Sequence, residues 1–449
     1  MIRKILGGAA PAVLSLVMTA ALGFFSGRSF RTMHRAEPIF PGQGVTATRL
    51  LSDYFPPLKN THGDTEVYLF HGKEKGGNLL VLGGTHPNEP AGLVASVLLI
   101  ENIRAVQGNV FIIPRANASG FTHSDPQEGN PQRFAVPTPA GPRLFRLGSR
   151  LTNPVDQWPD PAVYVNPAGQ KLSGNEVRNL NRCYPGRAKG FLTEKIAFAI
   201  MELIRQEKID LGVDLHESAP EYPVINAIVF HETSSELAAL ALLDLQAQGY
   251  DIRLEASPVN LRGLSHREWG DEAGIMAVLL ETPNASHGRL KGKPSSALIV
   301  DGKDKFYAKA SRLGWLFVPY GEEGIPLALR TARHLAALQA LLGALAELAP
   351  DKAVRIEDMP AATEVQERGV GAFLHPPSSA VSDLGNSPKL SYSQYLELTN
   401  AGRSDRIMHC FFPEIKWKSS SPVIPDSAMA SSGPCCWPAA PGAAARAWS

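Results

Sequence analysis

An imidazole and a carboxylate stand three residues apart in "GGTHPNEPAG", residues 83–92, as His86 and Glu89. A second histidine, His216, closes "VDLH", and a second glutamate, Glu281, closes "AVLLE". Two histidines and one carboxylate form the three-ligand set that catalytic zinc uses, with a fourth position left for water. Zinc lowers the pKa of such a water to near ~7, and a neighbouring carboxylate can then take its proton. Glu281 is the candidate for that base. Glu217, immediately after His216, is the rival, ranked lower because adjacent strand residues point to opposite faces. Asp214 lies on the same strand face as His216, where it either orients the ligand or is a plain structural carboxylate. A histidine and a glutamate three apart also occur by chance in surface turns, so the pattern draws its force from the conjunction.

Each of these residues ends or follows an apolar run of strand length. "NLLVL" (78–82) precedes His86, "IDLGVDL" (209–215) precedes His216, and "GIMAVLLE" (274–281) carries Glu281. Further strands are expected at "NVFIIP" (109–114) and "VINAIVF" (224–230), with helices at 90–104 and 329–348. His334 reads as a helix-face residue of the second helix. Short apolar runs alternating with helical stretches predict an α/β fold with a mixed, mostly parallel sheet flanked by helices. Ligands of such sheets bind at the carboxyl ends of the strands, where the four candidate residues fall. Between residues 121 and 173 the chain turns rich in Pro, Gly, Asp and Arg, an irregular excursion expected to line one edge of a cleft.

With 44 Lys and Arg against 43 Asp and Glu, the chain has no basic surplus of the kind a nucleic-acid binder shows. A small molecule or peptide is the expected partner. Four cysteines, Cys183, Cys410, Cys435 and Cys436, form no CxxC pair, so zinc here must be held by histidine and carboxylate. Residues 5–25 carry no charge and follow Arg3 and Lys4, which reads residues 1–36 as an export signal or membrane anchor. The expected localisation is therefore periplasmic or extracellular. Residues 37–350 are read as the catalytic domain, 351–415 as a small C-terminal region, and 416–449, dominated by Ser, Pro, Ala and Gly, as a disordered tail.

Five segments, "GGTHPNEPAG", "IIPRANASGF", "RNLNRCYPG", "VDLHES" and "LLETP", resemble in order the motifs of the zinc carboxypeptidase superfamily. They are most similar to its succinylglutamate desuccinylase and aspartoacylase branch. The resemblance covers roughly residues 66–290. It implies one Zn2+ per chain held by His86, Glu89 and His216, with Glu281 as general base and then acid. Asn181 and Arg182 match the pair that grips the substrate carboxylate, a task suited to the planar guanidinium fork. A further arginine polarises the scissile carbonyl in this superfamily, and Arg146 and Arg150 both answer to it, Arg150 being favoured. Pro87 stands where relatives commonly carry Gly, the 121–173 excursion is long for the branch, and the branch's small C-terminal β-domain is not evident after Pro350. The implied activity is hydrolysis of an amide bond beside a carboxylate, in an N-acyl amino acid or, alternatively, at a peptide C-terminus. A catalytically silent exported binding protein is the reading from another class. A serine hydrolase is disfavoured because no GxSxG elbow occurs.

Overall fold

The structure, a computed structural model, describes residues 2–124 and 130–376. The tail expected at 416–449, with Cys410, Cys435 and Cys436, lies outside the described residues. In chain order the elements are α1 (Ile2–Met33), β1 (Ala47–Leu50), β2 (Glu66–His71), β3 (Glu74–Leu82), α2 (Pro90–Asn102) and β4 (Arg104–Ile113). Two short hairpins follow, β5 (Arg133–Val136) with β6 (Arg143–Arg146) and β7 (Val163–Val165) with β8 (Lys171–Ser173). Then come α3 (Leu192–Gln206), β9 (Leu211–Ser218), β10 (Ala227–Phe230), α4 (Ser235–Ala247), β11 (Arg253–Ala256), α5 (Ser265–Ala273) and β12 (Met276–Pro283). The described chain closes with α6 (Ser296–Asp301), α7 (Lys305–Arg312), α8 (Leu327–Leu348), β13 (Arg355–Glu357) and α9 (Ala362–Arg368).

The main sheet runs β1-β2-β4-β3-β9-β12-β10-β11, with β13 also on β4. Its four central strands, β4, β3, β9 and β12, are mutually parallel, while β2 and β10 join them antiparallel. The central strands have helices on both faces, which is why they read as unbroken apolar runs rather than as an alternation. Val213, Leu215, Val278 and Leu280 face one helical layer with apolar residues of α2, α4 and α8. Leu80, Leu82 and Ala277 face the other, with Ile196 and Ile200 of α3 and Trp269 of α5.

Several boundaries move relative to the sequence reading. β9 runs on through His216 to Ser218, so His216 lies inside its strand instead of after it, and β12 continues two residues past Glu281 to Pro283. The 121–173 excursion carries the two hairpins. Past Pro350, β13 and α9 add to the same body, where Val354, Val365 and Val370 complete the α8 layer. Among the described residues β13 is the one strand beyond Pro350.

The stretch after α1 is fastened along its length. Arg133 and Arg146 donate to the carbonyls of Thr32 and Met33, and Glu37 is buried between Arg146 and Arg115. Arg143 donates to the Pro38 carbonyl, Phe40 N–H donates to Glu101, and Gly42 N–H donates to Ile100. Residues 11–33 of α1 are long and apolar enough to cross a membrane by length and composition.

Candidate metal centre

Two parallel strands and one helix start converge here. Glu281 and His216 are register partners on β12 and β9, and Asp214 pairs with Leu82, the last residue of β3. Period-two alternation places Asp214, His216 and Glu281 on one face of the sheet. The turn from β3 into α2 supplies His86 and Glu89, with Glu89 as the residue just before the helix and Pro90 at its first position, where no N–H is needed. Gly84 holds φ at +66° within this turn, and a Cβ there would meet the Pro114 carbonyl at 2.8 Å, so only glycine makes the bend.

His86, Glu89 and His216 are all buried, and their donor atoms lie within 4.8 Å of one another. Among the described residues this is the one such group. His86 Nδ1 is 2.8 Å from Glu89 Oε1, and His216 Nδ1 is 2.9 Å from Glu89 Oε2. Both rings thus aim the same nitrogen at one carboxylate. The far nitrogens differ: His86 Nε2 contacts Asn179 Oδ1 at 2.9 Å, whereas His216 Nε2 lies 3.0 Å from Asp214 Oδ2 as a charge pair without hydrogen-bond geometry. Asp214 is itself fixed by Thr85 Oγ1 at 2.8 Å and Ser265 Oγ at 2.5 Å. Asn179 is fixed by donating to Glu176 Oε2 at 2.7 Å. Such outer partners set ring orientation and basicity in metal sites.

Burial and neighbouring charges shift each group of the cluster. Burial, helped by Arg150, pushes His86 down to about 4, so it is neutral and free to ligate. Burial alone would raise Glu89, yet the two histidines hold it well below the carboxylate range. His216 is pushed up by Asp214 and Glu89 against its burial. Glu281, half-buried, has an Oε2 with no hydrogen-bond partner, and burial pushes its carboxyl up to about 8, with Glu89 adding to the rise. A buried donor set of two imidazoles and carboxylate, beside an unpartnered carboxylate oxygen, fits zinc.

The remaining candidates divide. Arg150 donates to Glu89 Oε1 at 3.2 Å, carried there by a loop that packs on the ligand turn: Gly148 N–H donates to the Pro87 carbonyl, and a Cβ at Gly148 would meet the Gly120 carbonyl at 2.3 Å. Arg146, four residues earlier, points the other way into a buried pair with Glu37, Nε to Oε2 at 2.7 Å, and lies over the Phe121 ring. Arg146 is thus engaged by Glu37 and the Met33 carbonyl, away from Glu89. Arg182 lies near Arg150 and Glu281; burial first, then Arg150, lowers it to about 10. Asn181 is oriented by Ser265 N–H, which donates to its Oδ1 at 2.8 Å. Glu217 turns to the opposite face, where Arg330 Nη1 at 2.6 Å and the Ala91 N–H at 2.8 Å occupy its carboxylate. Both of its carboxylate oxygens are thereby engaged away from Glu281. His334 is buried on α8, 3.5 Å from Thr282 Oγ1.

Sequence reasoning missed Asn179, Glu176 and Arg330. The first stands in "RNLNR" two residues before Asn181, so its neighbours drew attention away from it. Arg330 is 113 residues from Glu217, a separation that leaves no local spacing to read.

Fold and site together define a class: an α/β sheet protein with a buried two-histidine, one-carboxylate group at the carboxyl ends of parallel strands. No family model matches the chain, and no curated protein matches it. Solved structures do resemble it. A succinylglutamate desuccinylase/aspartoacylase from Rhodobacter sphaeroides matches at 19% identity over 51% of this chain and 53% of that one, TM-score 0.33. A metallo-carboxypeptidase from Burkholderia cenocepacia matches at 12% identity over 66% and 69%, TM-score 0.37. The product-bound cell shape determinant Csd4 from Helicobacter pylori matches at 14% identity over 68% and 59%, TM-score 0.40. The chain spans about half the length of the first of these.

Proposed function

We propose that the chain is a zinc-dependent hydrolase that cleaves an amide bond beside a substrate carboxylate, with N-acyl amino acids as the favoured class. The observation that carries this reading is the buried His86, Glu89 and His216 group with Glu281 as its register neighbour on β12. A zinc ion held by those three side chains supplies Lewis acidity, acidifying water and polarising a carbonyl. Glu281 Oε2, unpartnered and raised toward neutrality, takes the proton of the attacking water and returns it to the departing amine nitrogen. Arg182, with Asn181 oriented beside it, binds the substrate carboxylate through its guanidinium fork. Arg150, already against Glu89, supplies positive charge where the carbonyl oxygen becomes anionic. Asn179 and Asp214 keep the two imidazoles turned so that Nδ1 faces Glu89.

We assign α1 to export or membrane anchoring on its length and apolar composition. The functional reading is tested by screening N-acyl amino acids and short peptides for hydrolysis, with and without chelator. Chelator-sensitive cleavage of an N-acyl amino acid is the expected result. Failure of the zinc-loaded protein to cleave either class overturns the reading.

A further inference from the structure

Between β12 and α8 the chain builds a small lobe with its own apolar centre, including Ala285, Leu298, Tyr307, Tyr320 and Ile325. Its helix α7 starts at Asp304, whose Oδ1 accepts from the N–H groups of Phe306 and Tyr307 at 2.7 and 3.0 Å, while Oδ2 accepts from Gly292. Tyr307 and Ala310 turn inward and are buried. The opposite face of α7 presents Lys305, Phe306, Lys309, Arg312 and Leu313, all exposed and at the spacing of a single helical stripe. The chain then bends at Gly314 and leaves Trp315 and Phe317 outside as well. Phe306, Leu313, Trp315 and Phe317 are each about half exposed, at 48%, 49%, 59% and 54%.

The segment that leads into and forms α7 is rich in cations, and the exposed Glu322 and Glu323 come only after the turn. Seven Lys and Arg against two Asp occur from Arg289 to Arg312, in a chain whose totals are 44 and 43. One of the two, Asp304, is engaged by backbone N–H groups. No carboxylate of the described residues pairs with Lys305, Lys309 or Arg312; the recorded contact is Lys305 Nζ over the Phe306 ring at 5.2 Å.

We propose that this face of α7 and the turn that follows it docks on an anionic lipid surface. Lysine and arginine rimming projecting Trp, Phe and Leu is the composition of segments that lie at a headgroup boundary, with cations on the phosphates and rings in the acyl margin. Large exposed apolar patches on soluble domains mark interaction sites, and the sign of the charge selects an anionic partner. A helix long enough to cross a bilayer on the same chain favours lipid over an acidic peptide. Phe317 N–H donates to the Pro220 carbonyl at 2.9 Å, so the face adjoins the loop that leaves β9 just past His216. The proposal is independent of the reaction assigned above.

The test is residue-resolved amine acylation of the full-length protein in phosphatidylcholine vesicles and in vesicles of equal phosphatidylcholine and phosphatidylglycerol. Any insertion of α1 is available in both, so a difference between them reports the headgroup. Acylation of Lys305 and Lys309 is expected to fall about fivefold with phosphatidylglycerol and to recover in high salt, while the exposed Lys59 and Lys189 do not change. The double variant Lys309→Glu/Arg312→Glu should lose the protection at Lys305. Equal acylation in the two vesicle types overturns the proposal. So does protection by soluble polyglutamate without protection by phosphatidylglycerol, which would reassign the face to an acidic peptide.

Discussion

Arg330→Met isolates a contact that joins the far face of the sheet to the proposed metal ligands. Arg330 is fully buried, donating to Glu217 Oε1 at 2.6 Å and to the Ile299 carbonyl. Glu217 in turn accepts from the Ala91 N–H at 2.8 Å through Oε2, and its own N–H donates to Glu89 Oε2 at 3.0 Å. One residue thus grips the Glu89 carboxylate and the first turn of the helix that follows it. Removing the arginine strands a buried carboxylate, and breaking a buried pair from one side costs about 3–5 kcal/mol. Burial already raises the Glu217 pKa despite Arg330, so the stranded group protonates readily and the loss should shrink at low pH. Urea unfolding of the chelator-treated protein reads the cost as a lower midpoint at constant slope. The double variant Arg330→Met/Glu217→Gln should recover most of it, because a neutral amide retains an acceptor for Ala91. Zinc affinity, measured by competition with a chromophoric chelator, should fall about 10- to 100-fold in the single variant. A loss under about 1 kcal/mol, or a double variant no more stable than the single, would refute the reasoning, since both costs derive from one uncompensated charge.

Glu281→Gln should retain zinc but lose turnover. In the metal-free protein it should also flatten a pH slope: the folded pKa of about 8 lies above the unfolded value near 4.5, so wild-type stability falls as pH rises between them, and the variant's thermal midpoint should not follow. Asn179→Ala removes the acceptor behind His86 and should weaken zinc binding about 10-fold or more by the same chelator competition. Arg150→Met should lower kcat about 100-fold, with a smaller fall in the urea midpoint than Arg146→Met because Arg150 is partly exposed and Glu89 keeps its two histidine partners. Arg146→Met should chiefly lower the midpoint, and equal effects of the two on kcat would contradict their separate placement.

The strands that carry the site were legible because they are sheathed by helices on both faces, which leaves continuous apolar runs in the sequence. Period-two logic also anticipated the face Glu217 occupies, since its parity sends it to the α2 and α8 layer. The same logic was not enough for Arg146 and Arg150. Arg146 sits at the end of a hairpin strand and Arg150 in a loop whose course depends on Gly148 fitting against the ligand turn, a tertiary fact without a local signature. The contribution of residues 353–374 to the core was missed for a related reason. β13 is three residues long and α9 seven, too short for their apolar residues to establish a period.

The fastening of residues 32–42 bears on how this protein would search for substrate. A domain on a flexible linker explores a volume that widens with linker length. Here the carbonyls of Thr32, Met33 and Pro38 and the N–H groups of Phe40 and Gly42 are all tied to the body, so no slack separates α1 from the sheet. With α1 in a bilayer, the body would diffuse laterally as a rigid rider, with its orientation to the surface limited to the tilt of a single helix. Its catalytic reach would then be one domain's thickness, a thin layer in which local substrate density, and not the bulk concentration, sets the rate. Inserting a run of Gly and Ser between residues 33 and 37 would break the Glu37 clamp and release that constraint.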